Sequence, residues 1–141
     1  MPAGRDIKQR IELTFRGIMV VKGAASSMPT ATGTAFEEYV WETWWRKNFP
    51  ASAWSSTWGK ALAGGYRIDF TACRGSDRAV GDAKDKACLA HADVEKVLED
   101  AGIYKATWVY LLIAADTLVT AGIQAYADRN GVEIIRTRWR A

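Results

Sequence analysis

The sequence predicts a single α/β domain with a mixed central β-sheet flanked by helices. Predicted strands and helices alternate along the chain, which is typical of that class. Residues 106–115, ATWVYLLIAA, form a nearly continuous apolar run, as expected of a central strand that is buried on both faces. The length of 141 residues suits one domain, and no repeat or linker divides it. We therefore expect one domain over 1–141, with a strand and flexible lead over 1–32 and a core over 33–139.

The first half of the chain alternates apolar runs with turn-forming segments. Residues 11–21, IELTFRGIMVV, predict a strand, and the small polar residues 22–33 predict a loop. A helix is predicted from near Thr34 to about Asn48, because Pro50 lies just beyond its end. The strands expected next, with a turn at 59–65, cover residues 52–58, 66–73 and 78–86.

The second half continues the alternation. Residues 92–101 predict a helix, since their apolar positions recur at helical spacing, and Gly102 is the predicted stop. The buried strand at 106–115 follows. The last two predicted elements are a helix over 120–130, ended by Gly131, and a strand over 132–139.

Composition narrows the function classes. The formal net charge of +3 permits an anionic partner without requiring one. No apolar run approaches the roughly 18 residues of a membrane span, and the N-terminus lacks the apolar core of a signal peptide, so a cytoplasmic protein with no membrane partner is expected. Cys73 and Cys88 form no metal-binding pattern and are predicted to be small apolar fillers. The single histidine, His91, is expected at a helix start rather than in a nucleophilic apparatus.

Two aspartates fall in adjacent predicted strands. The turn RGSD favours a type II′ hairpin with Gly75 and Ser76 at its centre, a register that places Asp69 directly opposite Asp82. Facing side chains have Cβ atoms about 4.5–5.5 Å apart, so two carboxylates there repel each other. A divalent cation cancels that repulsion, and Mg²⁺ is often held by one or two carboxylates together with substrate phosphates. Lys84 projects from the same face as Asp82 and is suited to polarising a water. The alternative is a solvated strand face with ordinary charges.

A third carboxylate is predicted on the first helix. A helical wheel places Glu37 at the centre of the apolar arc and Glu38 on its edge. A carboxylate directed at the core needs a partner, and a metal held by Asp69 and Asp82 would be one. In the alternative, Glu37 forms a capping box with Thr34 at the helix start.

This order of motifs resembles the PD-(D/E)XK, or restriction-endonuclease-like, nuclease superfamily. The lead GTAFEEYV is similar to the opening of archaeal Holliday junction resolvases, and the tail ATWVYLLIAADTLVTAGIQAYADRNGVEIIR is similar to the closing elements of Mrr-like nucleases. The resemblance implies a restriction-endonuclease-like core in which Asp69 and Asp82 bind Mg²⁺ or Mn²⁺, Lys84 positions the attacking water and Glu37 completes the site. Ile68 stands where the family motif has proline, and Asp82 replaces the commoner glutamate.

The function expected on these grounds is a metal-dependent nuclease that hydrolyses DNA phosphodiester bonds. Two alternatives stay open: a nuclease toxin of interbacterial competition, acting on DNA or RNA, secreted into target cells and neutralised by an immunity protein, and a non-catalytic binding or assembly module. The oligomeric state, including a dimer, is open as well. Arg136, Arg138 and Arg140 alternate and would share one face of the last strand, with a solvated edge as the alternative. The basic residues expected to be available for phosphate contacts are Lys47, Lys60, Arg67, Arg74, Arg78, Lys86, Arg136, Arg138 and Arg140.

Overall fold

Five strands pair side by side in the order in which they occur in the chain. The computed structural model describes residues 31–141, with side chains from residue 34 onward, so the predicted strand at 11–21 lies outside the described residues. The first two pairings are antiparallel and the last two are parallel, which makes one mixed sheet and confirms the predicted class. The strands are β1 (Ser55–Ala61), β2 (Arg67–Arg74), β3 (Asp77–Lys84), β4 (Trp108–Ile113) and β5 (Val132–Arg136).

Helices cover both faces of this sheet. They are α1 (Ala31–Thr43), α2 (Trp45–Asn48), α3 (His91–Tyr104) and α4 (Ala121–Arg129), with a 3₁₀ turn at Ala63–Gly65. The expectation that His91 lies at a helix start is confirmed, one residue before the predicted bound at 92, but the predicted stop at Gly102 is wrong, because the helix continues. It runs on to Tyr104 and stops at Lys105, whose φ of 58° is left-handed.

The helix predicted over 34–48 begins earlier and is broken by Trp44. The backbone of Trp44 leaves helical geometry at φ −129° and ψ −56°, which separates α1 from α2. Trp44 and Trp45 are both buried, although neighbours on a regular helix point about 100° apart. The break lets Trp45 reach the sheet, where its Nε1 donates to the carbonyl of Thr71 at 3.1 Å. Burial of two adjacent indoles therefore overrides helix propensity at this point.

Two hydrophobic clusters lie on opposite faces of the sheet. Strand β4 contributes to both, because Tyr110 and Leu112 join one cluster while Leu111 and Ile113 join the other. This explains the continuous apolar run of β4, since both of its faces are covered. The cluster with α1 and α2 includes Phe36, Val40, Trp44, Trp45, Phe49, Trp54, Phe70 and Ala72, and the cluster with α3 and α4 includes Ile68, Val80, Val94, Val97 and Ala127.

The β2–β3 hairpin has the predicted register. Arg74 is paired with Asp77 across the turn, and Gly75 has a φ of +60°, as the first central position of a type II′ turn requires. Along the same ladder Phe70 faces Gly81. A Cβ at Gly81 would lie 2.5 Å from Cζ3 of Trp45, so only glycine lets that indole pack on the strand.

The last strand ends three residues earlier than predicted, so Arg136, Arg138 and Arg140 do not share a strand face. Arg136 Nη1 donates instead to the carbonyls of Ala114, Ala115 and Thr117, at 3.4, 3.1 and 2.6 Å, and Arg140 forms ion pairs with Asp85 and Asp116. Arg136 and Arg140 therefore bind oxygens within the fold, and their contact with phosphate stays a prediction. The prediction that Cys88 is an apolar filler is also wrong, since its side chain is exposed.

Within residues 31–141, no helix combines the length and apolar character that a membrane crossing needs.

Candidate metal-binding and catalytic site

Asp69 and Asp82 lie where the backbone pairing of β2 and β3 ends. The ladder closes at the pair Phe70 and Gly81, and the two aspartates are the next residues along each strand. Asp69 Oδ2 accepts a hydrogen bond from the backbone N–H of Ala83 at 3.1 Å. At this point the side chain of Asp69, and not the backbone of β2, forms the hydrogen bond with β3. Both side chains are withdrawn from solvent, with residue exposures of 9% for Asp69 and 2% for Asp82. The predicted meeting of these two carboxylates is therefore present.

Strand β2 is distorted at Asp69. Ile68 packs in the cluster with α3 and α4, whereas Phe70 packs in the cluster with α1 and α2. In a regular strand two residues that are two apart share a face, so the alternation is interrupted between them. Gly59, which lies between the β1 partners of Ile68 and Phe70, has a left-handed φ of +74°. This irregularity places a carboxylate in the sheet interior with apolar residues buried on either side of it.

The pair is electrostatically unfavourable as it stands. Burial raises the pKa of Asp69 well above its usual range, and the neighbouring Asp82 raises it further through its charge and through a hydrogen bond to the protonated acid. Arg67 and the amide of Ala83 act in the opposite direction without cancelling the shift. A second positive charge at this point would stabilise the ionised pair.

One oxygen of the pair has no hydrogen-bond donor within the described residues. Asp82 Oδ2 is fully buried, and although Lys84 Nζ lies 3.4 Å away as an ion-pair partner, it does not form a hydrogen bond with it. A buried carboxylate oxygen whose charged neighbour is this distant is only partly satisfied, and a hydrogen-bond donor or a second cation would complete its surroundings. Burial opposes the charge of Lys84, but Asp82, Asp69 and Asp93 together outweigh it and raise the pKa of its ammonium. Lys84 is therefore cationic at neutral pH.

Glu37 faces the site from α1, as the helical wheel predicts. Its Oε1 accepts hydrogen bonds from Trp58 Nε1 and from Arg67 Nη2, both at 2.9 Å, while Glu38 is exposed. The capping-box alternative is wrong, because α1 begins at Ala31 and Thr34 already lies inside it. Burial raises the pKa of Glu37, the charge of Asp69 adds to this, and Arg67 opposes both.

Arg67 connects Glu37 to the aspartate pair. While its Nη2 binds Glu37, its Nη1 lies 2.8 Å from Asp69 Oδ1, so one guanidinium spans carboxylates from a helix and a strand. From the sequence, Arg67 is predicted only as a residue for phosphate contacts, and Trp58 is not predicted at the site. A signal for Arg67 was available in its position two residues before Asp69. None existed for Trp58, whose place depends on the pairing of β1 with β2.

Trp139 contacts both α1 and the residue that directly follows β3. The ring of Trp139 packs against Phe36 and Tyr39 on α1, with centroids 5.7 and 5.1 Å apart, and its Nε1 donates to Asp85 Oδ2 at 3.2 Å. Asp85 directly follows Lys84. Trp139 thus joins the helix that carries Glu37 to the end of the strand that carries Lys84.

The donors at the pair suit a hard cation. Asp69 and Asp82 offer carboxylate oxygens, the ligands that Mg²⁺ and Mn²⁺ prefer, and the buried Asp82 Oδ2 has a vacant acceptor position. Among the described side chains, no three His, Cys, Asp or Glu residues stand close enough to form a metal-binding group by themselves. Glu37 reaches Asp69 through Arg67, and its role as a third ligand stays a prediction. The residues present fit a cation held by two carboxylates, with further ligands from water or substrate.

Comparisons with known proteins add little to this geometry. No protein-family model matches the sequence, and the comparison with curated proteins finds no significant match. Among solved structures, the crystal structure of a protein of unknown function, AF1548, aligns with a TM-score of 0.47 at 14% sequence identity. The alignment covers 60% of this chain and spans half the length of that protein.

Proposed function

We propose that this protein is a divalent-metal-dependent nuclease that hydrolyses phosphodiester bonds in DNA. The observation that carries the proposal is the buried Asp82 Oδ2, which has no hydrogen-bond donor in the described residues although it lies beside a second buried carboxylate and a lysine. A fold retains such an arrangement against its electrostatic cost mainly where a ligand completes it.

Each residue then has a separate part in hydrolysis. Asp69 and Asp82 would hold the cation, which when bound would make a water more acidic and stabilise negative charge at the phosphate. Lys84, fixed beside Asp82, holds the attacking water by a hydrogen bond from its ammonium and offsets negative charge that develops on the phosphoryl oxygens. The water oxygen bonds to phosphorus as the bond to the 3′ oxygen breaks, which leaves a 5′-phosphate and a 3′-hydroxyl. The proton lost by the water passes to solvent, and the leaving 3′ oxygen takes a proton from solvent.

The charges of the site are suited to an anionic substrate. Three carboxylates (Glu37, Asp69 and Asp82) face two cationic side chains (Arg67 and Lys84), which leaves one formal negative charge in excess. A divalent cation turns that excess into one positive charge, and a phosphodiester group brings one negative charge. Substrate binding would therefore leave the site close to neutral, which limits the desolvation cost of burying it.

The deciding experiment is plasmid cleavage by the purified protein in Mg²⁺ or Mn²⁺ and in EDTA, with Asp82→Asn as the test variant. The amide keeps the shape of the side chain and removes the ligand charge, so cleavage should fall by at least about a hundredfold, of the order seen when a group that stabilises the transition state is removed. Asp77→Asn is the matched control, because Asp77 lies on the same strand, at the turn, and pairs with Arg74. Cleavage in EDTA, or full activity of Asp82→Asn, would refute the proposal.

The same assay separates the other functions that the sequence leaves open. A labelled RNA of the same length, tested in parallel, distinguishes an RNA-specific nuclease, and cutting of RNA alone would contradict the choice of DNA. Metal binding without cleavage of either polymer would favour a non-catalytic module on this fold.

A further inference from the structure

Arg67 is a built-in cation within the carboxylate site. Its two terminal nitrogens bind Glu37 and Asp69 at 2.9 and 2.8 Å, and the two carboxylate side chains are each 13% exposed. The Arg67 side chain remains in contact with solvent, at 36% exposure. The ion pairs are thus partly desolvated, where Coulomb interactions are stronger than on an open surface.

The neighbouring strand leaves space for this guanidinium. A Cβ at Gly59 would lie 3.1 Å from Arg67 Nη2 and 3.3 Å from its Nε. Gly59 also has a φ of +74°, a conformation that side-chain-bearing residues rarely adopt. The backbone of β1 is therefore shaped so that Arg67 can lie against it, which is a second observation that this placement is built into the fold.

Each carboxylate that Arg67 binds has a further donor of its own. Asp69 Oδ2 accepts from the amide of Ala83 at 3.1 Å, and Glu37 Oε1 accepts from Trp58 Nε1 at 2.9 Å. Without Arg67, both side chains keep one hydrogen bond that orients them. Among the described residues, Arg67 alone brings a positive charge into contact with both carboxylates.

We infer that Arg67 is the resident counter-cation of the site: it balances Glu37 and Asp69 when no divalent ion is bound, and it weakens the binding of that ion by repulsion. Arg67 thereby sets the metal concentration at which the site is loaded. The inference rests on the proposed function, which assigns Asp69 and Asp82 to cation binding. Its physical basis is that two cations beside one carboxylate repel each other, most strongly where water is scarce.

The test is calorimetric titration of the metal-free protein with MnCl₂ or MgCl₂ alone, together with melting curves in EDTA. Arg67→Gln should melt below wild type in EDTA and bind the divalent ion roughly tenfold more tightly, because the opposing charge is gone. Arg67→Lys keeps the charge and should bind with near wild-type affinity. Arg46→Gln, on the exposed surface of α2, makes the same change in side chain and in net charge and should behave as wild type.

The outcomes separate this inference from the proposed function. Equal or weaker binding by Arg67→Gln, with wild type binding normally, overturns the counter-cation role and leaves the nuclease proposal standing. Tighter binding by both Arg67→Gln and Arg67→Lys also overturns it, since geometry and not charge would then be responsible. Absence of binding in every variant refutes both. If Arg67→Gln is unfolded in EDTA, it should refold on addition of Mn²⁺, and failure to do so counts against the inference.

Discussion

The carboxylate of Asp69 accepts a hydrogen bond from the backbone amide of Ala83, with Oδ2 and N 3.1 Å apart. Ala83 stands between Asp82 and Lys84, so this bond ties one strand's carboxylate to the centre of the Asp-x-Lys segment on the other. It forms immediately beyond the last backbone pair of the hairpin, Phe70 with Gly81. The site is thus held together by a side chain that replaces a backbone partner.

Asp69→Asn should raise the melting temperature of the metal-free protein at pH 8. The folded state raises the pKa of Asp69, first through burial and then through the charge of Asp82, so ionised Asp69 destabilises the fold. That penalty is absent below the usual pKa of an aspartate and grows as pH rises towards the folded value. The gain from Asn should therefore be largest at pH 8 and should shrink towards pH 4, as measured by thermal melts in EDTA.

The control for this effect is Asp77→Asn, which removes a carboxylate from the exposed end of the same hairpin. It should change the melting temperature little across that pH range. An Asp69→Asn protein that is less stable than wild type at pH 8 and unchanged at pH 4 would mean that the charge of Asp69 stabilises the metal-free fold.

Lys84→Met should remove cleavage while leaving divalent-ion binding intact. The ammonium lies 3.4 Å from Asp82 Oδ2 and is not itself a ligand, so its loss takes away the group that holds water and not the group that holds the cation. Activity should fall by about a hundredfold or more. Titration calorimetry with Mn²⁺ is the check, and a parallel loss of affinity and activity would show that Lys84 is needed to build the metal site.

Glu37→Gln and Glu38→Gln should behave differently. Glutamine at position 37 can still accept the hydrogen bond from Trp58, so the fold should persist with a loss of about 1 kcal/mol in unfolding free energy. It no longer balances Arg67, and we expect most cleavage to be lost. Glu38 is exposed on α1, and Glu38→Gln should stay active.

Plasmid cleavage and thermal melts on both variants decide this comparison. Full activity of Glu37→Gln would show that the charge on α1 has no part in hydrolysis. Loss of activity in Glu38→Gln alone would transfer the role to the neighbouring residue.

Gly81→Ala should destabilise the protein by about 1–3 kcal/mol, the usual effect of overpacking. The added methyl would lie 2.5 Å from Trp45 Cζ3 and 3.1 Å from Leu112 Cδ1, so the indole or the strand must move. Because Asp82 is the next residue, activity should fall with stability. Gly102→Ala is the matched control, since Gly102 lies within α3 with no heavy atom within 4 Å of its added Cβ, and alanine there should stabilise by about 0.5–1 kcal/mol. Chemical denaturation of both variants tests the pair.

Local sequence determined the helices and strands and the register of the β2–β3 hairpin. Apolar periodicity predicted α3, a continuous apolar run predicted the doubly buried β4, and the stop at Gly131 bounded α4. The Gly-Ser turn was sufficient to place Arg74 opposite Asp77. Because side chains of a regular strand alternate, that register predicted that Asp69 meets Asp82, although the alternation of β2 is interrupted between Ile68 and Phe70. The inward direction of Glu37 followed from the helical period in the same way.

Only tertiary packing decided the features that depend on distant parts of the chain. The break at Trp44 exists because Trp45 reaches across to the carbonyl of Thr71. Helix α3 continues past Gly102 to Tyr104, which packs against the cluster with α3 and α4. Arg67 and Trp58 meet Glu37 only after β1, β2 and α1 have come together. The spacing of residues in the sequence determines which side chains share one face of a helix or strand. Contacts between helices and strands depend on how all of them pack together, and a local sequence pattern does not contain that information.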